Sequence, residues 1–462
     1  MIGESEPTLT MRYMNRFACI GPACEEHCCG GWRIDVDRAH YEKIQAMVQF
    51  SAKPLARRLA TAFVILPPKS KLAMETYVLK QDDKGVCALL SSEGWCELHG
   101  SFGFEALPHV CAVYPRKMKY VGETFELSAT ASCPEVARQI LMPGDGTELE
   151  PIDRSRIHRR WTQDGMDTRD TRPFFRLFIE VREHVMKLLR EPTLAIDERL
   201  FLMLWFAKRT SEVLDRENKD PDATVVRREI ELLGRPEVRR EIVKRYLELE
   251  TPAALALMIV RGIVRPSGGG PGRPKWLQLM NGVVGSYTRL PEMLPLSEDP
   301  AEHDRAADLA AAAPIPMTVI EVFSEYKRRR ERLRAVPAVR ERIDGFFRDY
   351  TLHTWFHRMP IEEKDVLAYV LRTLTQQAAV KFLLYSQVHL QELAAAWERA
   401  APGDARAAAE AALMEAVDKA AVSVFYQLAR HVEHGVLIKW FGDMLKKMNM
   451  FSAAGGVYLI RF

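Results

Sequence analysis

Cys19-Ile-Gly-Pro-Ala-Cys24-Glu-Glu-His-Cys28-Cys29-Gly-Gly-Trp32 places four of the chain's eight cysteines in one short segment. Thiolates that share a metal centre must converge within a few ångströms, and a short loop carrying Gly21-Pro22 and Gly30-Gly31 achieves this with little loop-closure entropy to lose. The other four, Cys87, Cys96, Cys111 and Cys133, follow in the first third of the chain, and none occurs after Cys133. Disulfides would account for an even, clustered set in a small exported domain. This chain has 462 residues, and its opening Met1-Ile-Gly-Glu-Ser-Glu-Pro lacks the basic start and apolar run of a secretory signal. The expectation is a cytoplasmic protein in which Cys19, Cys24, Cys28, Cys29, Cys87, Cys96, Cys111 and Cys133 form a pool of metal ligands.

Iron-sulfur and zinc are the two metal choices. Structural zinc commonly uses paired cysteines at Cys-x-x-Cys spacing, and this sequence contains no such pair. His27 and His99 could complete mixed zinc sites. Cys133-Pro134 matches the Cys-Pro that ends ferredoxin-type ligand runs, which favours a [4Fe-4S] cluster with zinc as the alternative. Cys24, Cys28, Cys111 and Cys133 are the first choice for one cluster. The spacing departs from Cys-x-x-x-Cys-x-x-Cys, so radical chemistry of the standard kind is not indicated.

Outward from the cysteines, the chain divides in two. Residues 1–145 mix short periodic segments with turn-formers, as an irregular α+β metal module would. A helix is expected over Asp37 to Gln49 and after Pro134, with strands at Thr76 to Leu79 and Thr124 to Ser128. Residues 146–462 read as an α-helical body. Phe174, Phe178, Val181, Val185 and Leu188 repeat at helical spacing between Pro173 and Pro192. Further helices are expected at Ile196 to Leu214, Arg227 to Leu249 with a break at Gly234 to Pro236, Ala253 to Val264, Pro316 to Arg334, Pro337 to His357, Ile361 to Val388 and Ala405 to Ala429. Pro266 to Pro274, reading PSGGGPGRP, is a flexible loop, and Leu294 to Pro316 a second connection. The fold class is therefore mainly α, with the metal module packed on the helical body.

With 65 basic against 62 acidic residues, the net charge of +3 calls for neither nucleic acid nor an anionic surface. The basic run from Lys327 to Arg334 lacks interleaved aromatics and reads as a solvated helix face. No stretch reaches the roughly eighteen apolar residues that span a bilayer, so membrane insertion is not expected. Nothing in the sequence bears on oligomeric state.

The combination Arg16-Phe17-x-Cys19, Cys24-x-x-x-Cys28-Cys29-Gly-Gly-Trp32, Asp35-x-Asp37, Cys87 with Cys96, Cys111-x-x-Tyr114-Pro115-Arg116 and Ser132-Cys133-Pro134-Glu135 resembles the bacterial flagellin lysine-N-methylase family. Phe347-Arg348-Asp349-Tyr350 with Trp355-Phe356 is similar to a segment of that family's helical part. The cysteine module is also similar to that of zinc- or iron-chelating bacterial proteins. The resemblance implies methyl transfer from S-adenosylmethionine to lysine amines of flagellin, on a fold unlike the common methyltransferases and beside an iron-sulfur cluster. No Gly-x-Gly-x-x-Gly after a predicted strand marks a Rossmann-type cofactor site, and Gly268, Gly270 and Gly272 sit among prolines.

Methylation needs a neutral amine, and an unperturbed lysine pKa of about 10.4 leaves little of it at pH 7. Tyr114, Asp35, Asp37 and Glu135 are the candidate bases. Each also has a structural role open to it: a helix cap for Asp35 or Asp37, a first-turn helix position for Glu135, and packing for Tyr114. Arg116 is the candidate for a cofactor carboxylate or for a salt bridge. Trp32 and Trp95 flank cysteines and either shield the cluster or stack on adenine, or else pack in the core. A metal-chelating or redox-sensing interaction protein, or a zinc-stabilised scaffold, is the competing functional class.

Overall fold

The structure, a computed structural model, describes residues 6–30, 32–50, 52–67, 76–83, 85–142, 144–157, 162–166, 173–216, 223–249, 274–287, 317–360, 365–430, 443, 446 and 451–462. The expected helix at 253–264, all but the last residue of the loop at 266–274, and the connection at 294–316 lie outside these residues.

The amino-terminal third carries β1 (Thr8–Met11), α1 (Arg12–Arg16), β2 (Asp35–Val36), α2 (Arg38–Met47), α3 (Lys53–Thr61), β3 (Phe63–Leu66), β4 (Thr76–Leu79), α4 (Glu97–Phe102), α5 (His109–Val113), β5 (Arg116–Val121), β6 (Thr124–Ala129) and α6 (Pro134–Leu141). Two short strands follow, β7 (Leu149–Glu150) and β8 (Thr162–Met166). They form a five-stranded sheet ordered β7-β1-β6-β5-β8 and a three-stranded sheet ordered β2-β4-β3. The larger sheet is mixed, with β1 parallel to β6, β5 antiparallel to β6 and β8 parallel to β5. This is not the doubly wound parallel sheet of a Rossmann-type methyltransferase. β5 and β6 close through a two-residue turn in which Gly122 adopts φ of 60°, the left-handed backbone that such a hairpin requires of its first turn residue.

Helices dominate the rest: α7 (Pro173–Leu189), α8 (Ile196–Arg216), α9 (Ala223–Gly234), α10 (Pro236–Leu247), α11 (Pro274–Gly285), α12 (Met317–Arg334), α13 (Pro337–His357), α14 (Val366–Tyr385), α15 (Val388–Arg399), α16 (Asp404–Leu428) and α17 (Ala453–Arg461). Prolines at the first helical turn of α6, α10 and α13 set φ without forfeiting a hydrogen bond, which is why these starts were legible. The single helix expected over 361–388 is shorter. Asp365 caps α14 by accepting from the Ala368 N–H, and the chain breaks at Ser386 and Gln387 before α15. No described helix is long and apolar enough to cross a membrane.

Two cores organise these elements. A small one gathers Ile34, Ile44, Leu59, Tyr77, Leu89 and Leu98 around the three-stranded sheet. The main one joins the five-stranded sheet to the helices, from Met11, Phe125 and Val136 to Phe178, Trp355 and Leu383. Between sheet and helices lies a buried ionic cluster. Arg182 of α7 grips Glu126 of β6, and Lys119 of β5 stands 3.3 Å from the same carboxylate. Lys119 also donates to the carbonyls of Phe356 and His357, the last of α13, where the helix dipole favours a cation.

Candidate thiol centre

All eight cysteines are free thiols, and Cys87 is the most deeply buried of them. Cys19 to Trp32 wraps around a single 3-10 turn, Gly21–Ala23. Gly21 has φ of 57°, and a Cβ there would fall 2.7 Å from the Trp95 ring, so the outer edge of the indole occupies the space that a side chain would need. On the other side, His27 approaches Gly94. The segment around Cys96 therefore covers the segment around Cys24.

Backbone pairing brings the remaining thiols in. The Cys87 N–H donates to the Cys29 carbonyl at 2.8 Å, and Gly30 bridges to Val86. Cys29, Cys87, Cys96 and Cys111 share the small core, whereas Cys133 packs against the main one at the start of α6. The first-choice quartet of Cys24, Cys28, Cys111 and Cys133 thus draws on both cores. Among the described residues, no group of three or more His, Cys, Asp or Glu side chains is arranged to hold a metal ion.

Electrostatics ties the set together. Burial pushes the Cys24, Cys87, Cys96, Cys111 and Cys133 thiols up, Cys133 to about 12, and in each case the Cys28 thiolate adds to the rise. Cys28 and Cys29 are adjacent, and their thiols act on one another: the interaction with Cys29 first, and the Arg430 guanidinium as well, pulls Cys28 down to about 7, while the same interaction and burial push Cys29 up. Arg430 beside Cys28 and Arg58 near Cys87 offset only part of the rise among these thiols. A cation of the metal class reverses that penalty, since it binds the deprotonated form. The donor type is that of thiophilic metals and iron-sulfur clusters, while the arrangement of the described side chains is not that of a formed metal site.

Tyr114 stands at this centre. Its ring lies 5.6 Å from that of Trp32, and its hydroxyl is 3.1 Å from Ser132 Oγ. Burial, reinforced by the neighbouring Cys133, pushes the phenol up. The other candidates have structural partners. Asp35 pairs with Arg33 on the exposed side of β2, and Asp37 caps α2 by accepting from the His40 N–H. Glu135 forms an ion pair with Arg138 and accepts from Gln139. The Arg116 guanidinium lies over the Phe17 ring, 5.4 Å from its centroid.

Sequence reasoning missed the polar frame around the loop. Arg138 pairs with Glu25, Lys275 of α11 donates to the Glu25 carbonyl, and Arg430 donates to the carbonyls of His27 and Gly30. The signal was faint. Tyr426 and Arg430 lie four residues apart at the end of an alanine-rich helix, and one-face spacing was the only clue.

The chain is 31% identical over 137 residues to a lysine-N-methylase of Salmonella typhimurium, a match covering 30% of this chain and 33% of that protein. It is 30% identical over 137 residues to the lysine-N-methylase of Salmonella choleraesuis. To the flagellar biosynthetic protein FliU of Salmonella muenchen it is 30% identical over 154 residues, 33% of this chain and 88% of FliU. The chain thus matches only about a third of the length of each lysine-N-methylase. No family model matches it, and no solved structure does.

Proposed function

This chain belongs to the flagellin lysine-N-methylase family, and on that premise we propose that it transfers methyl groups from S-adenosylmethionine to lysine amines of a protein substrate, flagellin, in the cytoplasm. The observation that carries the proposal is the similarity to two lysine-N-methylases and to FliU. When bound, S-adenosylmethionine would supply an electrophilic methyl, and a [4Fe-4S] cluster, which the thiol pool would hold, would supply a fixed charged centre.

The chain's own residues have one task that chemistry dictates, which is to present a neutral lysine. Desolvation disfavours the ammonium form, and Trp32 with Tyr114 offers an aromatic wall at the thiol centre for that purpose. Tyr114, held by Ser132, is our candidate to orient the neutral amine, because burial keeps the phenol protonated and its hydroxyl hydrogen-bonds the amine without taking a proton from it. Glu135 is the candidate to accept the amine proton, in competition with Arg138, which already engages it. Arg116 remains the candidate for the cofactor carboxylate.

Anaerobically reconstituted protein incubated with S-adenosylmethionine and flagellin should show mass increments of one methyl at lysines. An intact cluster with no increment on flagellin sinks the proposal. Serine replacement at each of the eight cysteines, with iron and sulfide counted, sorts the ligands from the rest.

A second reading, a metal-chelating or redox-sensing interaction protein, draws on the eight free thiols. It is favoured by metal uptake, zinc or iron, without binding of S-adenosylmethionine.

A further inference from the structure

The backbone of the dithiol is held from the far end of the chain. Beyond α16 the helix widens into a π turn at Ala429 and Arg430, a local distortion that recurs at functional sites. From it, Arg430 Nη2 donates to the carbonyls of His27 at 2.8 Å and Gly30 at 2.9 Å. Its Nη1 lies 3.5 Å from Glu26 Oε1, and both side chains are only 13% exposed. One turn earlier, burial and then the same Glu26 carboxylate raise the Tyr426 phenol, and Gln427 Nε2 donates to the Tyr426 hydroxyl at 3.2 Å.

The two carbonyls that Arg430 holds bracket Cys28 and Cys29. Between them, the Cys28 carbonyl accepts from Trp32 Nε1 at 2.6 Å and the Cys29 carbonyl from the Cys87 N–H at 2.8 Å. Every carbonyl from His27 to Gly30 therefore has a donor, and the backbone of the adjacent cysteines is fixed on all four. One planar guanidinium supplies two of these bonds. An ammonium can carry the charge, but it does not reproduce the fork that reaches two carbonyls and a carboxylate together.

We propose that Arg430 is a positioning residue of the thiol centre: it fixes the backbone on either side of Cys28 and Cys29 from the helical body and sets a permanent positive charge beside them. The proposal rests on the methyl-transfer reading for its kinetic consequence, and stands without it for the loop. The helical body and the thiol centre are then held together through this side chain.

The test uses the full chain with Arg430→Gln, Arg430→Lys and Tyr426→Phe. In metal-free protein, hydrogen exchange at the Cys87 amide, which donates to the Cys29 carbonyl, should rise at least tenfold in both Arg430 variants and less in Tyr426→Phe. In the anaerobically reconstituted protein, Arg430→Gln should move the cluster's reduction potential to a more negative value, because a cation beside the reduced form is gone, while Arg430→Lys stays near the native potential. With flagellin, kcat should fall at least tenfold in Arg430→Gln and the KM for flagellin stay within twofold. Native exchange rates in folded Arg430→Gln overturn the clamp, and a native potential in that variant overturns the charge. If the reconstituted protein holds no iron and sulfide, the methyl-transfer reading loses its cluster, while the exchange arm still decides the clamp.

Discussion

Arg182 and Glu126 are joined by two parallel hydrogen bonds of 2.9 and 2.6 Å, with the carboxylate fully buried between the sheet and α7. A bidentate pair of this kind offsets its desolvation only while both partners remain. Glu126 also faces the buried Lys119, so its removal leaves two cations without their counter-charge. Glu126→Gln should destabilise the fold by about 3–5 kcal/mol. Urea denaturation measures it, and a loss below about 1 kcal/mol would show that the surrounding carbonyls suffice for both cations.

His353 on α13 is buried between Tyr13 and His357, with Nε2 2.9 Å from the Ala129 carbonyl, and burial lowers its pKa from 6.5 to about 4. Between those values the unfolded chain binds a proton that the folded chain does not. Stability therefore falls as pH drops from 6.5 to 4, and this group contributes up to about 1.4 kcal/mol per pH unit to the slope. His184, lowered to about 4 by burial, adds in the same direction. Urea midpoints of His353→Gln measured across this window should show a shallower slope. An unchanged slope means that His353 does not remain neutral in the fold.

The contact between Gly21 and Trp95 makes its own prediction. Gly21→Ala adds a methyl into the indole and strains a left-handed backbone position, at a combined cost of about 1–3 kcal/mol. Trp95→Ala removes the steric part. In a double-mutant cycle the pair should couple by at least about 0.5 kcal/mol. Additive losses would place the indole elsewhere.

Tyr114 separates packing from substrate positioning. Tyr114→Phe keeps the ring beside Trp32 and removes the hydroxyl that meets Ser132. If the hydroxyl orients the neutral amine, methyl transfer should fall about tenfold at every pH. Iron content and thermal midpoint should stay near native. Rates within twofold of native assign Tyr114 to packing and pass the role to another group.

Local chemistry was enough to read much of this protein. Pro337 and the apolar spacing after it marked α13, Asp37 before His40 marked a helix cap, and the alternation from Thr76 to Leu79 marked a strand, because each signal lies within a few residues of what it controls. The confinement of the thiols to the first third was equally plain, and so was the helical body. Partner choice was not. That β1 lies parallel to β6, that Asp35 pairs with Arg33 instead of joining the thiols, and that α14 stops at Tyr385 follow from packing that no periodicity encodes. The sharpest case is Arg430, which reaches a carbonyl 400 positions earlier in the chain. A guanidinium at the end of an alanine-rich helix carries no sequence mark of the backbone that it will hold. Only the docking of α16 beside the cysteine loop brings the two together and leaves those carbonyls in need of a donor.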